Sequence, residues 1–253
     1  MAAPVLIASD LHLDPRRPET LALFQQFLDG PAQEASDLYL LGDVFEVWFG
    51  DDAIHPAYQP LLEGLAALAR NGVGIHLQHG NRDFLMGREL ARMTGADLLP
   101  ETTVVELAGE PTLLLHGDAL CTDDVEHQAF RAMVLDPQWQ AGFLTLSVEE
   151  RAEQARQARE KSRAGHAEKS DAIMDVNGEA VADAFRSHGV RRMIHGHTHR
   201  PAVHDHAVDG APCRRMVLPQ WHTSGGYIRC DGDGCELLPF PSGTTFHGPE
   251  SPY

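Results

Sequence analysis

Short apolar runs that end abruptly in polar residues recur along the chain, and each predicts a buried strand. Residues 5–9 and 37–41 are two such runs, of the kind found in parallel strands that are covered on both faces. Between and after them, residues 21–28 and 60–70 carry apolar side chains at helical spacing. The pattern therefore predicts strands that alternate with helices. Further strands are predicted over residues 73–78, 98–107, 112–115, 191–194, 213–219 and 226–238.

The pattern changes at about residue 123, where Gln, Glu, Ala and Arg begin to dominate. These residue types favour helix and leave few apolar positions for a core. We predict an α/β fold in one domain over residues 1–240, interrupted by a helical insertion over residues 123–171. The Pro-, Gly- and Ser-rich residues 241–253 are expected to form a disordered tail.

The chain is strongly acidic, with 20 Lys and Arg against 37 Asp and Glu and a formal net charge of -17. This charge repels phosphate backbones and argues against nonspecific nucleic-acid binding. A phosphate-bearing substrate would have to be met locally, by metal ions or by clustered cations. No apolar run reaches the ~18 residues that a spanning helix needs, so we expect a protein that is soluble or lies against a membrane.

The four cysteines, Cys121, Cys213, Cys230 and Cys235, form no Cys-x-x-Cys pair, and nothing resembling a signal peptide precedes the first strand. We therefore expect reduced thiols. A disulfide between Cys230 and Cys235, across the turn-rich residues 231–234, is the less favoured alternative.

Five polar clusters follow five of the predicted strands. They are Asp10-x-His12, Gly42-Asp43, Gly80-Asn81-Arg82-Asp83, His116-Gly117-Asp118 and Gly196-His197-Thr198-His199. Ligands of open α/β sheets bind beyond the carboxyl ends of the strands, so the clusters are predicted to converge in space. Carboxylates, an amide oxygen and imidazoles form a mixed set that suits Mn²⁺, Fe or Zn²⁺ better than Ca²⁺.

Local spacing supports this convergence. If the backbone stays extended, Leu11 points into the core and leaves Asp10 and His12 on one side, and the same alternation pairs His197 with His199. Glycines before three clusters allow sharp turns; these are Gly42, Gly80 and Gly196.

The remaining histidines receive no functional role, because some clustering by chance is expected among 15 histidines. We interpret four as structural, namely His188, His204, His206 and His222. His127, in the insertion, is expected at the surface.

The ordered clusters resemble the signature of the calcineurin-like metallophosphoesterases. The resemblance implies a β-sandwich of mixed sheets flanked by helices, with two metal ions bridged by Asp43. It places Asp10, His12, Asp43 and His199 on one ion, and Asp43, Asn81, His116 and His197 on the other. Two divalent ions about 4 Å apart activate a shared water and clamp phosphoryl oxygens. The chain has no convincing Ser or Cys triad and no Walker-type loop.

One position departs from the family pattern. Many members have histidine in Gly-Asn-His-Asp, whereas this chain has Arg82. A guanidinium cannot give up a proton near neutral pH, but it can hold a diphosphate by paired hydrogen bonds. The departure indicates a substrate whose leaving group is already good, such as one half of a pyrophosphate.

Three further segments narrow the resemblance: residues 43–48 (DVFEVW), 81–84 (NRDF) and 173–177 (IMDVN). They are similar to the UDP-2,3-diacylglucosamine pyrophosphatase branch of the family, which acts in bacterial lipid A synthesis. The resemblance implies cleavage at the α-phosphorus to UMP and 2,3-diacylglucosamine 1-phosphate, with two Mn²⁺ as cofactors. It implies catalytic roles for Asp43, Asn81, His116 and Arg82, and peripheral contact with the cytoplasmic face of the inner membrane. Implied substrate contacts are Asn81, Arg82, Asp124, Ser162, His166, Lys169 and His197.

The insertion is locally neutral in an acidic chain. Six basic residues between positions 149 and 171 balance six acidic ones; they are Arg151, Arg156, Arg159, Lys161, Arg163 and Lys169. Such a helical lid could approach anionic lipid without repulsion. For most of these charges, however, a solvated helix with internal i,i+4 ion pairs is the favoured interpretation.

Apolar residues near the insertion leave two interpretations open. Phe130, Met133, Val134, Leu135, Trp139, Phe143 and Leu144, and likewise Phe45, Val47, Trp48 and Phe49, could be core or could line an acyl pocket. Other open functions are hydrolysis of a different nucleotide, phosphodiester or phosphoprotein, or a metal-bound scaffold without activity.

Overall fold

The computed structural model describes residues 3–166 and 175–246, with side chains to residue 160 in the first range. In these ranges the strands are β1 Val5–Ala8, β2 Asp37–Leu41, β3 Gly74–Gln78, β4 Asp97–Leu98, β5 Thr102–Leu107, β6 Glu110–Leu115, β7 Arg192–His195, β8 Ala202–Val208, β9 Ala211–Val217, β10 Gly225–Asp231 and β11 Gly234–Phe240. The α-helices are α1 Pro18–Asp29, α2 Gln59–Arg70, α3 Arg88–Thr94, α4 Val125–Val134, α5 Pro137–Leu144, α6 Val148–His166 and α7 Gly178–His188.

The strands form two mixed sheets. The first has the order β11-β10-β1-β2-β3-β4, with β1, β2, β3 and β4 parallel. The second has the order β5-β6-β7-β9-β8, with β6, β7 and β9 parallel. Apolar side chains from both sheets pack between them, among them Ile7, Leu41, Leu114 and Ile194. The predicted fold class, an α/β sandwich of mixed sheets flanked by helices, is confirmed.

Helices cover the outer faces because each carries one apolar stripe. In α1 the buried residues Leu23, Phe24, Phe27 and Leu28 recur at helical spacing. They pack, with the apolar face of α2, on the first sheet. On the second sheet, Val181 and Phe185 of α7 fill the equivalent layer. Pro18 at the start of α1 fits a helix N-terminus, where a missing N–H costs nothing.

The prediction of a single strand over residues 98–107 is wrong. The segment divides into β4, in the first sheet, and β5, in the second, with Pro100 between them. Proline has no N–H to donate to a ladder, which suits a crossing between sheets. The run over residues 226–238 is the hairpin of β10 and β11, with its tip at the turn-rich residues 231–234 as the sequence predicts.

The expectation of reduced thiols is wrong for one pair. Cys230 and Cys235 face each other across the β10–β11 hairpin and form a disulfide. Their Cα atoms are 4.1 Å apart, because the antiparallel register places the two residues directly opposite each other. Cys121 and Cys213 are buried free thiols.

The insertion consists of α4, α5 and α6 over its described residues. Asp124 and Asp136 begin α4 and α5 by accepting hydrogen bonds from backbone N–H groups of the first turn. Arg151 joins α6 to the loop after β2, since its guanidinium donates to the Phe49 carbonyl (2.6 Å) and to Asp52 (2.7 Å). Among the described helices, none combines the length and the apolar character that crossing a membrane requires.

Candidate metal centre

Five strand ends supply the polar side chains. Asp10 and His12 follow β1, Asp43 follows β2, and Asn81 follows β3; His116 follows β6, and His197 and His199 follow β7. The first three strands belong to one sheet and the last two to the other. Hydrogen bonds tie these loops together: the Asp10 N–H donates to Gly42 O (3.1 Å), and the Gly196 N–H to His116 O (2.8 Å). The predicted convergence of the five clusters is confirmed.

The backbone at these residues is not extended, which corrects the alternation argument. Five of them have left-handed backbone: Asp10 (φ 56°), His12 (φ 45°), Asp43 (φ 50°), His197 (φ 64°) and His199 (φ 54°). This region is unfavourable for residues with a Cβ and tends to occur at functional sites. Leu11 does enter the core. The side chains of Asp10 and His12 share a side because of this tight turn, not because of a pleat.

The first group of donor atoms surrounds His12. Its Nε2 lies 3.3 Å from Nε2 of His199, 3.8 Å from Oδ1 of Asp10 and 3.8 Å from Oδ2 of Asp43. His199 Nε2 is in turn 3.2 Å from Asp10 Oδ1. Four side chains from three strand ends thus direct one atom each towards a common point.

The second group meets at Asn81. The Asn81 Oδ1 atom lies 3.1 Å from Nε2 of His116 and 3.0 Å from Nδ1 of His197. His116 Nε2 is also 3.7 Å from Asp43 Oδ1. The two carboxylate oxygens of Asp43 therefore face different groups, which is the arrangement expected of a bridging ligand.

Supporting hydrogen bonds fix these side chains. Asp83 is fully buried, and its carboxylate accepts N–H groups from Asp43 (3.2 Å), Val44 (2.7 Å) and Gly80 (2.8 Å). His116 Nδ1 lies 2.9 Å from the Leu41 carbonyl. This contact leaves Nε2 of His116 as the lone-pair nitrogen facing the site, in the pattern of imidazoles that bind metal.

Glycine is required at two positions by close approach. A Cβ at Gly80 would lie 2.2 Å from Asp43 Oδ1, and a Cβ at Gly196 would lie 2.0 Å from Asp10 Oδ2. Sequence reasoning predicted sharp turns here. The structure shows that the absent side chains make room for the carboxylates.

The electrostatics favour cations at this edge. Burial raises the pKa of Asp43 to about 7, with the nearby carboxylates of Asp83 and Asp10 adding to the shift. For His116, burial is outweighed by Asp43 and Asp10, which raise its pKa to about 9. Burial lowers the pKa of His12 to about 3. The raised pKa values of Asp43 and His116 mean that these buried groups hold protons where positive charge is needed. A divalent ion would take the place of those protons, so the donor set fits divalent ions.

Some of the implied substrate contacts lie at the same edge of the sheets. The backbone N–H of Arg82 donates to Asp43 Oδ1 (2.8 Å), which places Arg82 beside both donor groups. Asp124 is buried and caps α4 by accepting the His127 N–H (3.1 Å). The side chains of Ser162 and His166, and residue Lys169, lie outside the described residues.

Sequence reasoning missed three residues. His127 was expected at the surface, but its ring packs on that of His197, with centroids 5.2 Å apart, and it lies 3.9 Å from Asp118. The signal was available, because His127 stands in the first turn of a helix whose cap, Asp124, was already placed near the substrate. Glu46 and Asp83 stood inside recognised motifs without an assigned role.

Comparison with curated proteins finds close relatives. The chain is 47% identical over 229 residues to the UDP-2,3-diacylglucosamine hydrolase of Aromatoleum aromaticum, covering 90% of this chain and 94% of that protein. It is 46% identical over 236 residues to the UDP-2,3-diacylglucosamine hydrolase of Escherichia fergusonii, covering 93% and 98%.

Among solved structures, the chain is similar to a predicted phosphoesterase from Streptococcus pneumoniae, with 14% identity, a TM-score of 0.45 and coverage of 94% and 90%.

The calcineurin-like phosphoesterase family model matches residues 3–201, which contain all five strand-end clusters. Candidate metal-binding groups form within that match, at Asp10, His12 and His199 and at Asp10, Asp43 and His116. By family match, by close relatives and by the convergence of its strand-end ligands, the chain belongs to the calcineurin-like phosphoesterase family.

Proposed function

We propose that this chain hydrolyses UDP-2,3-diacylglucosamine at its α-phosphorus, releasing UMP and 2,3-diacylglucosamine 1-phosphate. The names of the two relatives, at 46–47% identity over nearly the whole chain, support this substrate. The observation that carries the proposal is the division of Asp43 between two donor groups at one sheet edge. Family membership alone would leave the substrate open.

Two Mn²⁺ ions are the proposed cofactors. Asp10, His12, Asp43 and His199 would hold one, and Asp43, Asn81, His116 and His197 the other. Such a pair supplies an activated water and a clamp on the phosphoryl oxygens. The chain's contribution is to fix the donors before substrate arrives, through Asp83 and the Leu41 carbonyl.

Arg82 is the proposed diphosphate-binding cation. It stands beside Asp43, where a planar guanidinium can pair with two phosphoryl oxygens as the water oxygen adds to phosphorus. The bridging oxygen then leaves with the sugar 1-phosphate, a group stable enough to depart without a proton from Arg82. Asn81 and His197 would contact the same diphosphate. Asp124, Ser162, His166 and Lys169 are proposed contacts to the rest of the substrate.

An apolar cavity supports the acyl part of the proposal. About 400 Å³ of space lies between α6 and the loop after β2, lined by Val47, Phe49, Ile54 and Val148. That volume is in the range of small-molecule pockets, roughly 300–1,000 Å³. An adjoining cavity of about 370 Å³ reaches Glu46, whose carboxylate lies 2.8 Å from His12. The two cavities share Val47 and Phe49, so the apolar wall adjoins Glu46, which contacts the proposed metal ligand His12.

The apolar residues after β2 and in the insertion divide between the core and the cavity wall. Phe45 is buried in the core, whereas Val47 and Phe49 line the cavity, and Trp48 is both buried and part of the cavity wall. In the insertion, Val134 and Phe143 are buried, and Trp139 stacks on Phe143 with ring centroids 4.9 Å apart. The acyl pocket is thus assigned to Val47, Trp48 and Phe49 rather than to the whole apolar set.

We also propose that residues 123–171 act as a lid on the domain of residues 1–240, and that this lid meets the anionic cytoplasmic face of the inner membrane. Large apolar side chains stand exposed on its helices, namely Val125, Met133, Leu144 and Val148. Apolar groups combined with nearby Lys and Arg favour anionic lipid surfaces. Cosedimentation with vesicles tests this: binding to anionic but not zwitterionic vesicles is expected, and none to either would refute it.

The function is tested by Mn²⁺-dependent release of UMP from UDP-2,3-diacylglucosamine. UDP-N-acetylglucosamine and a simple aryl phosphodiester serve as comparison substrates without long fatty acyl chains. Release from the acylated substrate only is the expected result. Turnover of the simple diester alone would keep the metal chemistry and discard the lipid substrate.

A further inference from the structure

Glu46 joins three parts of the molecule at one carboxylate. It stands in the loop after β2, three residues beyond Asp43, and only 9% of it is exposed. Its backbone N–H donates to Leu13 O (3.0 Å), and Leu13 pairs with Phe45 as an isolated bridge. The loops after β1 and β2 are therefore bound to each other where Glu46 is placed.

The first partner of the carboxylate is a proposed metal ligand. Glu46 Oε2 lies 2.8 Å from Nδ1 of His12, within hydrogen-bonding distance although off the axis of the N–H bond. The opposite nitrogen, Nε2, is the one that faces Asp10, Asp43 and His199. A carboxylate at Nδ1 keeps the proton there and leaves the lone pair on Nε2.

The other partners are two arginines. Arg17, just before α1, lies 3.5 Å from Glu46 Oε2, and it also donates to the His12 carbonyl (2.7 Å). Arg159, on α6, forms an ion pair with Glu46 Oε1. The side chain of Arg159 is 18% exposed, so this ion pair is shielded from solvent more than the surface pairs of the same helix.

We propose that Glu46 is a positioning residue that sets the orientation and tautomer of His12. Through its ion pair with Glu46, Arg159 couples the docking of α6 against the domain to this orientation. The inference rests on the proposed metal centre. Because Arg159 holds one carboxylate oxygen and His12 meets the other, movement of α6 away from the domain would release Glu46. The affinity of the protein for the ion bound by His12 is therefore expected to rise when α6 is docked against the domain.

The test measures Mn²⁺ binding to metal-stripped protein by titration calorimetry, without substrate. Glu46→Ala is expected to weaken one of two binding events by about 10- to 100-fold, as loss of a partner behind a ligating imidazole usually does. Glu46→Gln keeps an acceptor for His12 and loses the charge for Arg159, so its loss should be several-fold smaller. Circular dichroism and thermal unfolding establish that each variant is folded.

Arg159→Met is expected to weaken the same event by a smaller factor, and to add nothing in the Glu46→Gln background. Arg156→Met is the matched control on the same helix, since Arg156 pairs with Glu153 and Glu160 of α6. The proposal is overturned if folded Glu46→Ala binds Mn²⁺ like the unchanged chain, or if Arg156→Met acts as strongly as Arg159→Met. Because substrate is absent, failure to hydrolyse the acylated nucleotide leaves this result standing, whereas an unchanged chain that binds no divalent ion defeats both proposals.

Discussion

The metal centre and the helical insertion are held in place by different kinds of contact. At the centre, Asp10 meets His199 across 189 positions of sequence, and both are fixed between strand ends of two sheets. In α6, Arg156 pairs with Glu153 and Glu160, three and four residues away, at exposed positions. The centre depends on long-range packing, while much of the insertion is sustained locally and docks through a few arginines.

The difference shows which part of the molecule requires precisely placed atoms. Donor atoms for a metal must meet within a few tenths of an ångström, so buried, hydrogen-bonded strand ends suit them. The proposed lid would have to open and close over a large flexible substrate, and a helix docked by few polar contacts suits that role. The following variants test this contrast, beginning with the largest expected effect.

Asp43→Ala should remove activity almost completely. The change takes one ligand from each donor group, so the loss of kcat should exceed the ~100-fold typical of residues that only support a ligand. Mn²⁺ stoichiometry measured with UMP release checks this, and both should fall together. Asp118→Asn, which changes a buried carboxylate outside the two groups, is the comparison variant. Full metal occupancy in Asp43→Ala would contradict the bridging role.

Arg82→Ala should lower kcat by about 100- to 1,000-fold, as loss of one donor to a phosphoryl charge does. Metal binding should stay intact, because the Arg82 contact to Asp43 comes from the backbone N–H. Steady-state kinetics and Mn²⁺ titration on one preparation separate the two effects. Arg82→Lys should lie between, since it retains the charge and loses the paired geometry. Loss of metal in either folded variant would refute the assignment.

Arg151→Met should loosen the docking of the insertion and moderately lower the free energy of unfolding. The variant loses the hydrogen bond to the Phe49 carbonyl and the ion pair with Asp52, whose side chain is 61% exposed. The free energy of unfolding should fall by about 1 kcal/mol, since exposure of the partner weakens the ion pair. Urea unfolding measures this, and limited proteolysis should show faster cleavage between α5 and α6. Unchanged proteolysis would mean that other contacts seat the helix.

Arg156→Ala should have no measurable effect on stability. Its partners Glu153 and Glu160 are about half exposed, and solvent screens such pairs. The unfolding midpoint is compared at low and high salt, and at both it should match that of the unchanged chain. A clear drop at low salt would show that the helix depends on its own ion pairs more than on docking.

Much of this contrast could be read from the sequence. The strand-end clusters, their order and the sandwich of mixed sheets were predicted because buried strands have a distinct pattern and because the residue order resembles a known family. The ion pairs of α6 agree with the sequence, which favours a solvated helix with internal ion pairs for most charges of the insertion. The split of residues 98–107 between two sheets was missed, since local propensity says nothing about which sheet a strand joins.

The sequence by itself determined the kinds of donor atom and the strand ends from which they come, because both follow from residue type and local pattern. The division of the donors between two groups came from the family resemblance, but its geometry, with one oxygen of Asp43 facing each group, came only from the tertiary structure. The same holds for His127 and Glu46, whose roles depend on contacts with His197 and with His12 and Arg159. Such contacts arise when distant segments pack, and no local pattern encodes the left-handed backbone that turns five ligands towards one another.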